Sequence, residues 1–247
     1  AAAGEAGTRK PDILDKVMGA LDPAAWLCNP AATVRQLRDE IKTFVLAGHE
    51  TSASMLGWAL FELARAPALM ARARAEAQKV FGKRNTPESS LPAHEKFSDL
   101  VFNEACLKEA LRRYSVVPTV VRTAAQDVTL PPGPGGGPGV FLARGTSVMI
   151  GIQAVHHRAD LWPEPMKYLP DRFLGPVQPY TFLPFIDGPR ACLGQNLSLL
   201  ESKVVLATLV QRYSFTLVNE ADSAERHPYM VPIIPKNGLQ VLVVKNK

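Results

Sequence analysis

The strongest constraint on the fold is an apolar periodicity that runs without a proline from Val34 to Arg65. Val34, Leu37, Ile41 and Val45, then Met55, Leu56, Ala59 and Leu63, recur at helical spacing. A helix of that span is roughly 48 Å long. It crosses a whole domain, so the remaining elements must pack along it. Thr33, with Gln36 three residues on, is expected to open it as a capping box. Pro67 ends it and can occupy the first position of the next helix. A chain of 247 residues with 47% hydrophobic content has the apolar surface for one large domain, or part of one.

Two more helical patterns follow. The first, about 68–81, places Leu69, Ala73, Ala77 and Val80 on one face. The second, about 98–114, takes Ser98 as its cap and carries Leu100, Leu107, Leu111 and Tyr114 on one side, with Glu109 and Arg112 opposite. The polar stretch between them, 82–96, reads as a loop. From 117 to 151 the chain favours strands ("TVVRTA", "DVTL", "TSVMIGI"). The insert "PPGPGGGPG" (131–139) is turn-rich and lacks the Gly-Lys-Ser/Thr ending of a phosphate loop. Seven prolines between 163 and 189 exclude a central strand and most helix there. A last helix is expected over about 193–212, with Leu193, Leu197, Leu200 and Val204 as its apolar stripe, and "FTLV" and "LQVLVV" close the chain as strands. The fold class is therefore mainly α with small β sheets.

Charge and cysteine content narrow the partners. The formal charge of +5 permits an acidic protein partner or an anionic membrane surface. No lysine/arginine run is dense enough for nucleic acid, and "ARARAEAQK" (71–79) reads as a solvated helix face. Cys28, Cys106 and Cys192 show no pairing pattern, which argues for a reducing intracellular compartment rather than a disulfide scaffold. No stretch approaches the roughly 18 apolar residues of a membrane span.

Four short patterns carry chemistry. In "PFIDGPRACLGQ" (184–195), Gly188 and Gly194 let the backbone turn tightly and approach another group closely. A helix opens just after Cys192, and a helix N-terminus stabilises an anion. With Arg190 beside it, the sulfur is a nucleophile, a metal ligand, or simply a small residue in a loop. No Cys-x-x-Cys is present. In "EALR" (109–112) the i,i+3 spacing is that of a surface ion pair, worth a few tenths of a kcal/mol at about the usual value. In "AGHETSAS" (47–54), Gly48 costs about 1 kcal/mol in a helix interior, while Thr51 and Ser52 can bond back to carbonyls and bend the helix. That stretch is either a helix crossing made by small residues or part of a site. "VPTVVRTA" (117–124) is an edge strand carrying Arg122 or the wall of a pocket.

Taken together, these patterns resemble the cytochrome P-450 family. Phe185-x-x-Gly188-x-Arg190-x-Cys192-x-Gly194 is similar to its haem-ligand loop, and Glu109-x-x-Arg112 to its helix pair, completed by an arginine from a Pro-Glu-Arg-Phe-like motif. Here "KYLPDRF" supplies Arg172, with Asp171 in place of the usual Glu. That a Cys thiolate holds the haem iron in this family is a known general property of it. The resemblance implies Cys192 as the axial iron ligand, Phe185 as the cover of its sulfur, and Gly194 as the residue that admits the ring. It assigns Arg190 and Arg122 to the haem propionates. Glu109, Arg112 and Arg172 become a buried charge network beneath the haem, tolerated only if fully paired. "AGHET" resembles the family's distorted mid-helix motif. Glu50 and Thr51 are then the catalytic acid–alcohol pair for proton delivery, and Ala47 and Gly48 leave room for dioxygen and substrate. Thr119, Val120 and Val121 would wall the pocket, with Tyr229–Val231 as a last pocket loop. "AVHHRADLWPEP" (154–165) also matches, including its His-Arg dipeptide.

The match implies the C-terminal, haem-ligand part of the family's fold, with 1–247 as one portion and the N-terminal half absent. The function implied is a monooxygenase that uses haem b. It would insert one oxygen atom of dioxygen into a small apolar substrate, with electrons ultimately from NAD(P)H through a flavoprotein reductase or a ferredoxin. Membrane contact would come only through the absent N-terminal region. The alternatives are a haem-thiolate isomerase or dehydratase that does not use dioxygen, and an incompetent fragment that serves as an interaction module.

Overall fold

The polar groups that open the helices come from residues that the periodicity did not single out. The computed structural model describes residues 13–20, 28–82, 94–133, 136–226 and 231–246. Helix α1 spans Ile13–Ala20 and α2 spans Pro30–Arg65. Asn29, not Thr33, caps α2: its Oδ1 accepts the N–H of Ala32 at 3.1 Å. Pro30 takes the first helical position, where a missing N–H costs nothing. Thr33 lies inside the first turn and its hydroxyl donates back to the Asn29 carbonyl at 3.1 Å. The Asn-Pro step thus starts the helix one turn before the expected capping box.

The chain divides within α2 into two compact units, Ala1–Glu50 and Thr51–Lys247. In the first, Val34, Ile41, Val45 and Leu46 are exposed. In the second, Met55, Trp58, Ala59, Phe61 and Leu63 are buried. One periodic pattern therefore serves two environments.

In the second unit, α3 (Pro67–Phe81) begins at Pro67 and buries Met70, Ala73, Ala77 and Val80. A 3-10 turn, His94–Asp99, occupies the end of the expected loop and precedes α4, Val101–Tyr114. Residues 83–93 of that loop lie outside the described residues. Ser98 belongs to the 3-10 turn, where its hydroxyl donates to the Glu95 carbonyl at 2.7 Å, so it does not cap α4. Glu76 of α3 does. Its carboxylate accepts the N–H of Phe102 at 2.7 Å, the N–H of Asn103 at 2.8 Å and the Asn103 side-chain amide at 2.7 Å. A carboxylate there also meets the positive end of the helix dipole. Glu76→Ala is expected to lower stability by about 2–3 kcal/mol, because it orphans backbone donors at a buried helix start. A urea titration would read this, and an unchanged midpoint would refute the cap.

The core lies where α2, α3, α4 and α6 (Gln195–Arg212) meet. Trp58 stacks on Tyr114 at 3.9 Å between ring centres, with Phe61 edge-on to both. The Trp58 indole N–H and the Ser54 hydroxyl both donate to the carbonyl of Ile233. The apolar stripe expected on α6 meets the core only in part: Leu193 and Leu197 are 85% and 59% exposed and Val204 packs against the core, whereas Leu206, Ala207 and Val210, outside the stripe, are buried. The core face is chosen by the side from which α3 and α4 approach, which helical spacing alone does not tell.

Three two-stranded antiparallel sheets complete the described residues. β1 (Thr119–Thr123) pairs with β4 (Ser147–Gly151), and β2 (Val128–Leu130) with β3 (Val140–Leu142). β5 (Tyr213–Leu217) pairs with β6 (Val241–Lys245). A short helix, α5 (Ile152–His156), follows β4 directly, and another, α7 (Glu220–Ala224), follows β5. Among the described residues no helix is long and apolar enough to cross a membrane.

Candidate functional site

Glu109 and Arg112 are both fully buried, so the reading of their spacing as a surface pair is overturned. The Arg112 guanidinium donates through Nε and Nη2 to the two Glu109 oxygens, each at 2.8 Å. Its remaining donors reach the carbonyls of His156 at 2.8 Å and Lys167 at 3.1 Å. Glu109 also accepts the N–H of Leu169 at 2.9 Å. Arg172 brings its Nε to 3.4 Å from the same Glu109 oxygen, an ion-pair contact rather than a hydrogen bond, and its Nη2 donates to the Glu164 carbonyl. The pair thus welds α4 to the proline-rich segment, which turns through a 3-10 helix at Pro170–Phe173. Asp171 faces away. It forms a bidentate pair with Arg72 of α3 at 2.7 and 2.9 Å, and that partner holds its carboxyl below the usual range.

The Cys192 turn is built from backbone contacts. The Leu183 carbonyl accepts from Ile186, the Gly188 carbonyl from Ala191, and the Phe185 carbonyl takes the Cys192 N–H at 2.8 Å. Gly188 has φ +77° and Ile186 has φ 60°. A β-branched residue in that region is strained, at a cost of about 1–3 kcal/mol. A Cβ added at Gly194 would meet the Cys192 Sγ at 3.9 Å, so the sulfur lies over the residue that precedes α6. Cys192 is exposed and free, Cys106 is buried and free, and burial pushes the Cys106 thiol well up. Phe185 is half-buried and packs against the core.

The other expected residues fall as follows. Ala47, Gly48 and Glu50 belong to the first unit, where Glu50 lies 3.4 Å from Nδ1 of His49. A Cβ at Gly48 would meet no described atom within 4 Å. Thr51 begins the second unit. Its neighbour Ser52 lies 3.0 Å, hydroxyl to hydroxyl, from Ser198 in the first turn of α6, so the helix turn carrying Thr51 is joined to the helix that starts behind Cys192. In β1, strand alternation divides the expected pocket wall: Thr119 and Val121 face one side, Val120 and Arg122 the other. The Arg122 guanidinium is exposed and donates to the neighbouring Val121 carbonyl. A cavity of about 400 Å³ is lined by Glu62, Arg65, Arg113, Tyr168 and Glu220 among others, and by none of the expected site residues. Of Tyr229–Val231, the first two residues lie outside the described residues and Val231 is exposed.

Sequence reasoning passed over His156. It stressed the His-Arg dipeptide, yet His157 only reaches the Arg113 carbonyl and Arg158 an exposed aspartate, Asp160. The signal was available one residue earlier, as a histidine closing a short helix.

These residues fit a haem. An exposed soft sulfur stands on a strained, preformed turn, beside a glycine that adds no bulk. Among the described residues neither Arg122 nor Arg190 has a carboxylate partner, and exposed Leu193 and Val121 offer apolar contact. Comparison with known proteins gives the class. The cytochrome P-450 family model matches residues 9–242, and the chain belongs to that family, whose cofactor is haem. It is 32% identical over 246 residues to the cytokinin hydroxylase of Arabidopsis thaliana, covering 97% of this chain and 44% of that protein. It is 34% identical over 199 residues to leukotriene-B4 omega-hydroxylase 3 of Mus musculus, covering 79% of this chain and 36% of that protein. The chain therefore spans less than half the length of these curated relatives.

Proposed function

We propose that this chain is the thiolate-bearing part of a haem-thiolate monooxygenase that hydroxylates a small apolar substrate. The observation that carries the reading is the exposed Cys192 on its strained turn, in a chain of this family. Two of its relatives are hydroxylases by name. Haem b, when bound, supplies the dioxygen-activating chemistry, and its electrons come from NAD(P)H through a flavoprotein reductase or a ferredoxin. Cys192 holds the iron and Phe185 shields the sulfur. Arg190 and Arg122 pair with the propionates, and Gly194 keeps the approach to the ring open. The Glu109–Arg112–Arg172 network holds the segment that leads into the turn. Glu50 and Thr51 deliver protons, with Ala47 and Gly48 leaving space beside them. Thr119 and Val121 offer one apolar strand face to substrate; Val120 shares the other with Arg122.

The primary test is one spectrum: the chain reduced with haem and carbon monoxide should give the Soret band of a thiolate-ligated complex. A band that appears only when an N-terminal half is supplied would mark a fragment. Thr51→Ala separates oxygen insertion from an isomerase. In the haem-loaded protein, product formation should fall about 100-fold, a typical loss for proton delivery, while NAD(P)H consumption continues and hydrogen peroxide accumulates. An unchanged product rate would favour the isomerase.

A further inference from the structure

His156 is a buried imidazole for which the proposed reaction has no use. It closes α5 at 0% exposure and is held between the end of α4 and the segment at Leu183. Its Nε2 accepts the N–H of Leu183 at 2.8 Å. Its Nδ1 lies 2.8 Å from the hydroxyl of Ser115, the residue after α4. Its carbonyl accepts from Arg112. A backbone N–H can only donate, so Nε2 carries no proton and Nδ1–H donates to Ser115. Only one tautomer of the neutral ring satisfies both partners. Burial, helped by the Arg112 guanidinium and His157, pushes the imidazole pKa down to about 3, so the neutral form holds at neutral pH. The ring also stacks on Phe182 at 5.4 Å, and Phe182 packs on Phe173 at 4.7 Å.

The bond to Leu183 lands at the foot of the cysteine turn. Leu183 closes its own turn onto Ile186, and two residues later the Phe185 carbonyl takes the Cys192 N–H. We infer that His156 is a positioning residue for the sulfur: through Leu183 it locks the foot of the Cys192 turn to the Glu109–Arg112 network and keeps the turn from relaxing before haem arrives. The link to haem rests on the proposed reading of Cys192 as the iron ligand; the link to the turn does not.

The first arm of the test needs no haem. Amide hydrogen exchange is followed by mass spectrometry on the full chain and two variants. His156→Phe keeps the ring against Phe182 but loses the acceptor, whereas His156→Gln keeps an acceptor for Leu183. Exchange across 183–192 should quicken about tenfold in the Phe variant, as for one lost hydrogen bond. It should stay near wild type in the Gln variant, with α3 and α6 unchanged in both. Equal rates in wild type and His156→Phe would overturn the inference, and so would acceleration spread evenly over α3 and α6. Should His156→Phe fail to fold, Ser115→Ala gives the reading, because it frees the tautomer and should loosen the same segment. The second arm uses the reduced carbon monoxide complex. At equal haem content, the thiolate-ligated fraction should fall in His156→Phe and recover in His156→Gln. A wild-type chain that gives no such band even with an N-terminal half supplied would defeat the Cys192 reading while leaving the exchange result to stand by itself.

Discussion

Arg112→Ala is expected to cost about 3–5 kcal/mol, the usual loss when one partner of a buried ion pair is removed. Proteins of this kind have only about 5–15 kcal/mol in total, so the loss is a large share of the stability. The geometry gives the reason. Glu109 would stay at 0% exposure with only the Leu169 N–H and the 3.4 Å contact to Arg172. The carbonyls of His156 and Lys167 would lose their donor at the same time. Arg112→Lys should rescue little, because one ammonium cannot reproduce a fork that meets a carboxylate and two carbonyls. Urea unfolding followed by circular dichroism measures the effect. A loss below about 1 kcal/mol would place the pair with solvent-screened surface pairs and refute its weld. Arg158→Ala is the internal control: its pair with Asp160 is exposed, and no measurable change is expected.

Cys192→Ala should do the opposite. The side chain is exposed and the turn is held by its backbone N–H, which alanine retains. Stability should stay within about 0.5 kcal/mol of wild type, yet the thiolate-ligated Soret band should vanish completely, since alanine offers the iron no sulfur. The two measurements belong on the same preparation. A folded variant without the band supports Cys192 as the ligand, and persistence of the band would sink that assignment.

The two substitutions differ in how far sequence could foresee them. Glu109 and Arg112 look alike on a surface helix and in a core, because the i,i+3 spacing is the same in both. Strands gave a similar ambiguity. The run "TVVRTA" marked β1, but the period of two splits Val120 from Val121, and only the register against β4 shows what shares a face with Arg122. Helix starts were misread for a related reason. Glu76 caps α4 from another helix, 25 residues before its start at Val101, and a local cap rule cannot see it. Leu193 and Leu197 kept perfect helical spacing and remain exposed.

What the sequence by itself determined is local and chemical. Apolar periodicity marked the main helices, glycine and proline marked the turns, and the order of a few residues around Cys192 pointed to the family. These depend on backbone preference and side-chain chemistry over a few residues, which travel with the chain. Only the tertiary structure decided which charges are buried, which face of α6 meets the core, and that His156 joins Ser115, Arg112 and Leu183. Burial and long-range hydrogen bonds are properties of what packs against a residue from elsewhere in the chain, and no local pattern carries that information.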